Sequence, residues 1–106
     1  MAAESEKVRI LLVRPWTEPL AAFRAALAAS GIEARISRVD IEPALDAALS
    51  RTSFDLIVLD PRTPGITRDL VEARLRDHRR LIQIVMFDDL DVTIGAIQRA
   101  LRQRYN

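Results

Sequence analysis

The stretch FDLIVLDP, residues 54–61, decides the fold of this chain. Its core, residues 56–59, is a continuous apolar run, which is typical of a strand buried on both faces in a parallel sheet. Pro61 has no N–H to donate and cannot extend such a strand, so the strand is expected to end at Asp60. Ligands of open α/β sheets bind at the carboxyl ends of the strands. Asp60 is therefore the first candidate functional residue.

Three further strands are predicted from the pattern of apolar residues. Residues 8–13 form an apolar run that predicts a second buried strand, and residues 81–87 predict a long apolar strand later in the chain. Residues 32–37 alternate apolar and polar side chains, which is typical of an edge strand exposed on one face. The chain thus offers four strands at regular intervals.

A helix is predicted after each strand. Thr17 and Asp40 are the expected caps of the first two helices, and the third is expected at residues 67–78. The predicted buried stripe of the second helix is Ile41, Leu45, Ala48 and Leu49. That of the last helix is Leu90, Ile94, Ile97, Ala100 and Leu101. Strict alternation with right-handed crossovers predicts one α/β domain over residues 1–106, with residues 1–6 as a flexible lead-in.

Composition and charge exclude several classes of function. The 106 residues include no cysteine, which excludes disulfides, thiolate catalysis and cysteine-based zinc sites. The net charge of +1, from 16 basic and 15 acidic residues, gives no general case for nucleic-acid binding. Signal-peptide and membrane-spanning patterns are absent from the sequence. We therefore expect a cytoplasmic protein that does not associate with membranes.

The pattern resembles the receiver domain of two-component response regulators. The resemblance rests on the strand at residues 8–13, the acceptor-type strand ending in Asp60, the Thr63-Pro64-Gly65 loop and the strand at residues 82–87. It implies a flavodoxin-like, doubly wound parallel sheet, which in the family has strand order 2-1-3-4-5. With one strand fewer, the order 2-1-3-4 is expected here. The resemblance also implies that Asp60 stands at the phosphoacceptor position.

This sequence departs from the receiver pattern at the residues that carry phosphorylation. The acidic pair that holds Mg²⁺ in the family is replaced by Arg14-Pro15-Trp16, and the only lysine, Lys7, precedes the first strand. The hydroxyl residue expected after the fourth strand is replaced within residues 86–89. The sequence is also shorter than the family by about one strand–helix unit. Its last helix therefore aligns with either the fourth or the fifth helix of the family, and we prefer the fourth.

Two interpretations of Asp60 follow. As a phosphoacceptor it would receive a phosphoryl group from a histidine kinase with the help of Mg²⁺. As a structural residue it would pair with Arg14, which also follows a central strand, and this second interpretation is favoured.

Asp88 and Asp89 are expected to begin and cap the last helix; the alternative is a relocated metal site that includes Asp60. Trp16 is expected either to contact a partner or to cover the end of the sheet.

We therefore expect a receiver-like signalling domain that acts through protein–protein interaction, with no enzymatic activity, no cofactor and no metal. Its expected partners are another protein or an effector domain, and a second copy of the chain that binds through the fourth strand and last helix. One alternative is a working receiver that is phosphorylated on Asp60. The second alternative is a nucleic-acid-binding module that uses arginines on the helix faces: Arg74, Arg76, Arg79, Arg80, Arg99, Arg102 and Arg104. His78 is expected to be a solvated residue at a helix end.

Overall fold

A single parallel sheet of four strands, in the order β2-β1-β3-β4, organises the protein. The computed structural model describes residues 7–105; residues 1–6, the expected lead-in, lie outside this range. The strands are β1 (Val8–Val13), β2 (Ala34–Val39), β3 (Leu56–Leu59) and β4 (Gln83–Met86). The helices are α1 (Ala21–Ala29), α2 (Glu42–Arg51), α3 (Arg68–Asp77) and α4 (Leu90–Tyr105). The predicted α/β, doubly wound, flavodoxin-like arrangement is confirmed.

Two apolar layers, one on each face of the sheet, form the core. On one face, Ile10 and Leu12 of β1 pack with residues of α1 and α4. On the other face, Leu11 and Val13 pack with residues of α2 and α3. These four β1 side chains are all fully buried, and burial of each contributes about 1.5–3 kcal/mol. The continuous apolar runs of β1 and β3 thus mark strands covered on both faces, as predicted.

The last helix, α4, lies on the same face of the sheet as α1. Its Ile94 and Ile97 share a core with Phe23 and Leu27 of α1, whereas α3 lies on the opposite face. If the chain continued from β4 to a fifth strand at the outer edge of β4, a right-handed crossover would place the connecting helix on the same face as α3. Our preference for aligning α4 with the fourth helix of the receiver family, a crossover helix, is therefore wrong on this geometry. The alignment with the fifth helix is the one that this face allows.

The two predicted caps of the first helices are wrong. α1 begins at Ala21 after Leu20, and α2 begins at Glu42 after Ile41, in both cases without a side-chain cap. Thr17 lies in a turn that precedes α1 and is closed by a hydrogen bond from Glu18 N to Pro15 O. The carboxylate of Asp40 instead accepts a hydrogen bond from Trp16 N.

Other predicted boundaries are closer to those observed. α3 begins within one residue of the predicted start, and the Thr67 side chain caps it by accepting a hydrogen bond from Leu70 N. Ile41, predicted to be buried, is 57% exposed because it precedes α2 rather than lying on its inner face. β4 is shorter than the strand predicted over residues 81–87. Leu81, the first residue of the predicted strand, lies before β4 and is fully exposed. No helix within residues 7–105 is long and apolar enough to cross a membrane.

Candidate functional site

Arg14 and Asp60 meet at the carboxyl end of the sheet. Each residue directly follows a central strand, and β1 and β3 pair in parallel with Val13 opposite Leu59. Arg14 Nε donates a hydrogen bond to Asp60 Oδ2 over 3.2 Å. Asp60 is 1% exposed and Arg14 is 8% exposed, so the ion pair is buried. The pairing of Asp60 with Arg14 that the sequence favoured is present in the structure.

A second arginine, Arg62, also binds Asp60, and the sequence interpretation missed it. The Arg62 backbone N–H and Nε both donate to Asp60 Oδ1, over 2.9 and 3.2 Å. Its Nη2 donates to Asp60 Oδ2 over 3.1 Å. An aspartate often accepts a hydrogen bond from the backbone two residues later in a turn, and this spacing was the signal available in the sequence. Arg62 itself remains largely exposed, unlike Arg14.

The two oxygens of Asp60 therefore accept four hydrogen bonds in total, two on each oxygen. A carboxylate offers about four lone-pair positions, so this carboxylate is saturated. Burial alone raises the pKa of Asp60, but the hydrogen bonds and charge of Arg62 and the charge of Arg14 outweigh it, and the pKa lies below its ordinary value. Asp60 is accordingly an ionised, fully paired group.

Glu18 extends the same cluster of charges. Its Oε1 accepts from Arg14 Nη2 over 3.3 Å and from Arg62 Nη2 over 3.4 Å. Arg14 Nη1 also donates to the carbonyl oxygen of Pro19. Two arginines thus join two acids across the loops that follow β1 and β3, and this network fixes the segment between β1 and α1 over the end of the sheet.

Trp16 is exposed beside this network. Its side chain is 60% exposed, and the guanidinium carbon of Arg38 lies 4.5 Å from the centre of its ring. Arg38 Nη1 donates to the carbonyl oxygen of Glu18 over 2.6 Å, which ties β2 to the loop that carries Trp16. The indole is therefore held in place on one side and open to solvent on the other. Its exposure does not fit the expected role of covering the end of the sheet, and contact with a partner stays a prediction.

Phe87, Asp88 and Asp89 follow the next strand, β4. The ring centre of Phe87 lies 4.3 Å from the guanidinium carbon of Arg14, so an aromatic side chain packs against the buried cation. Asp88 and Asp89 are both exposed. Asp89 Oδ1 accepts a hydrogen bond from Val92 N over 2.9 Å, which caps the first turn of α4. The predicted cap of the last helix is thus confirmed for Asp89, whereas Asp88 precedes the cap and only its backbone N–H takes part, by donating to Thr93 Oγ1.

A divalent cation does not fit the residues around Asp60. Mg²⁺ requires oxygen ligands, but every side-chain group that contacts the Asp60 carboxylate in the bonds given above is a guanidinium. Within residues 7–105, no group of three or more histidine, cysteine, aspartate or glutamate side chains could hold a metal ion. The site is a network of two arginines and two acids, with no net charge, that connects the loops after β1 and β3.

His78 lies away from this site, between α2 and α3. Its Nε2 is 3.3 Å from Asp46 Oδ1, and its side chain is 25% exposed. The neighbouring Arg74 binds Glu42 of α2 and Asp77 of its own helix. His78 is the C-cap of α3, so the expected helix-end position is confirmed, but its side chain is only partly solvated, because the packing of α3 against α2 brings Asp46 to it.

The fold and the site together define an α/β domain of the flavodoxin-like class with a paired aspartate at the carboxyl end of its sheet. A scan against models of protein families and a search of curated proteins both find no match to this chain.

Proposed function

We propose that this protein is a receiver-like signalling domain that acts through protein–protein contacts and does not depend on phosphorylation. The observation that carries the proposal is the state of Asp60, whose two oxygens are occupied by Arg14 and Arg62. The strand order and the position of this acid after β3 are those that the receiver resemblance implies. The network of ion pairs around Asp60 holds the loops at the carboxyl end of the sheet in one arrangement.

The chemistry of phosphoryl transfer supports the same proposal. Transfer to a carboxylate requires an accessible oxygen and cations that neutralise the charge of the phosphoryl group. Asp60 is buried, and Arg14 stands where a metal-binding acid is needed. A guanidinium attracts phosphate but cannot hold a magnesium ion. On this account the domain has no enzymatic activity, binds no cofactor and is constitutively in one signalling state in the cytoplasm.

The proposed contact surface of the domain is formed by β4 and α4. β4 lies at an edge of the described sheet, and α4 packs beside it. A second copy of the chain that binds through this surface stays a prediction. A monomer in light scattering at high protein concentration would count against it.

Nucleic-acid binding is less well supported than protein binding. Arg74 is committed to Glu42 and Asp77, and Arg68 pairs with Glu72 of the same helix. Arg80 donates to Leu49 O, at the end of α2. Arg68 and Arg74 are thus paired with acids and Arg80 contributes to the packing of α3 on α2, so these three arginines are not arranged as a free row of charge along a phosphate backbone.

The proposal is tested by incubating the protein with Mg²⁺ and acetyl phosphate and measuring its intact mass. We expect the mass to stay unchanged, because the carboxylate of Asp60 is saturated. The matched control is Asp60→Asn, which lacks the acceptor oxygen. A phosphoryl adduct that forms on the unaltered protein and is absent from Asp60→Asn would overturn the proposal and favour the working receiver.

A further inference from the structure

The outer edge of β4 offers unpaired backbone groups. Within residues 7–105, β4 pairs with β3 alone. Phe87 N donates to Leu59 O over 2.7 Å, so the N–H of this residue points toward β3. Successive residues of a strand point their N–H groups to opposite sides. The N–H and C=O groups of Ile84 and Met86 therefore face away from the sheet, where they can pair with an added strand.

A groove lies on each side of this edge. The groove beside α3 has a volume of about 630 Å³, and its apolar lining includes Leu75, Ile82 and Ile84. The groove beside α4 has a volume of about 290 Å³, and its lining includes Val85, Ala96 and Ala100. The side chains of a strand alternate between its two faces. An extended segment paired with β4 would therefore place alternate side chains into the two grooves.

The charges around these grooves select the occupant. Arg68, Arg76 and Arg80 line the groove beside α3, and Arg99 lines the groove beside α4. Glu72 is the one acid among the residues that line the two grooves, and it is paired with Arg68 over 3.2 Å. A second copy of β4 would bring an identical set of arginines to the same edge, and like charges brought together oppose association. An acidic segment would complement them.

We propose that the open edge of β4 binds an extended, acidic segment of a partner protein, which adds to the sheet as a fifth strand. Its apolar side chains enter the grooves beside α3 and α4, and its carboxylates meet Arg76 and Arg99. Backbone pairing supplies affinity, and the grooves and arginines supply selectivity. This inference rests on the proposed function, since it names the partner class of a domain that acts by protein contacts.

The test uses two short peptides, one with a Val-Val-Glu-Glu repeat and one with a Val-Val-Lys-Lys repeat, so that each face of the extended peptide carries both valine and a charged residue. Fluorescence anisotropy measures binding, and amide hydrogen exchange by NMR locates it. We expect the glutamate peptide to bind, with an affinity that falls as salt rises, and to protect the amide protons of Ile84 and Met86. Arg76→Glu and Arg99→Glu should each weaken binding by about tenfold. Arg24→Glu, an equal charge change on the exposed face of α1, should leave binding unchanged.

Several results would overturn the inference. They are absence of binding by the glutamate peptide, equal binding of the lysine peptide, protection away from β4, or loss of affinity in Arg24→Glu equal to that in Arg99→Glu. A concentration-dependent dimer in which Ile84 and Met86 become protected without peptide would assign the edge to a second copy instead. None of these results involves Asp60, so they are independent of the acetyl phosphate experiment that tests the proposed function.

Discussion

Arg14 Nε lies 3.2 Å from Asp60 Oδ2, and both residues are buried at the end of the same pair of parallel strands. A buried ion pair is maintained only where additional hydrogen bonds satisfy both charges. Here Arg62 and Glu18 supply those bonds, and the ring of Phe87 covers the guanidinium of Arg14. The pair is thus the centre of a network that joins the loops after β1, β3 and β4.

Replacing Arg14 should destabilise the protein. Arg14→Ala removes a buried cation from Asp60, and removal of the sole partner of a buried charge costs about 3–5 kcal/mol. Arg62 still binds Asp60, so we expect a smaller loss of about 2 kcal/mol in the free energy of unfolding, measured by urea denaturation. Arg24→Ala, on the exposed side of α1, serves as the control and should change it by less than about 0.5 kcal/mol. Equal effects of the two substitutions would contradict the structural role of Arg14.

The stability conferred by Asp60 should depend on pH. Its pKa is lower in the folded protein than the ordinary value, because the two arginines favour the charged form. The unfolded chain therefore takes up this proton at a higher pH than the folded protein does. The contribution of Asp60 is complete above the unfolded pKa of about 3.9, and it is lost as the pH falls through the lower folded pKa.

Asp60→Asn provides the comparison for this pH dependence. At neutral pH the variant leaves the buried Arg14 with only the partly exposed Glu18 as counterion, so its free energy of unfolding should be about 3 kcal/mol lower. The difference from the unaltered protein should stay constant down to a pH of about 4 and narrow below it. Denaturation series across acidic pH measure this difference. The lowered pKa would be contradicted if the difference in free energy of unfolding between the two proteins narrowed already near neutral pH, or if it did not narrow in acid.

The stacking of Arg38 on Trp16 should control access to the indole. Arg38→Ala removes the guanidinium that covers one face of the ring and the hydrogen bond that holds the loop at Glu18. We expect quenching of the Trp16 fluorescence by acrylamide, a neutral quencher, to increase. Ser37→Ala, at an exposed position of the same strand, should leave quenching unchanged. Unchanged quenching in Arg38→Ala would show that the stacked arrangement does not persist in solution.

The sequence predicts those features that depend on strand order and burial. Continuous apolar runs identify β1 and β3 as central strands, and parallel central strands end at one edge. That reasoning is sufficient to place Arg14 beside Asp60, because each directly follows its strand. It also predicts β2 as an edge strand, since its apolar residues alternate with polar ones.

Features that depend on loop conformation are not predictable in the same way. Thr17 and Asp40 are good capping residues by type, but the positions at which α1 and α2 begin are set by other contacts. Arg14 and Arg38 bind backbone oxygens of residues 15–19, which places this segment outside the helix. The side-chain contacts of Arg62 with Asp60 and of His78 with Asp46 are equally hard to predict. They depend on how loops and helices pack, which the periodicity of apolar residues does not describe.

The central claim is that Arg14 and Arg62 hold Asp60 in a single state that no phosphoryl group or magnesium ion enters. The most direct test is an NMR titration of the ¹⁵N-labelled protein with Mg²⁺ and beryllofluoride, a mimic of a phosphorylated aspartate. We predict that the amide signals of Asp60, Arg62 and Thr63 do not shift. Shifts of these signals that saturate with the mimic and are absent in Asp60→Asn would contradict the claim.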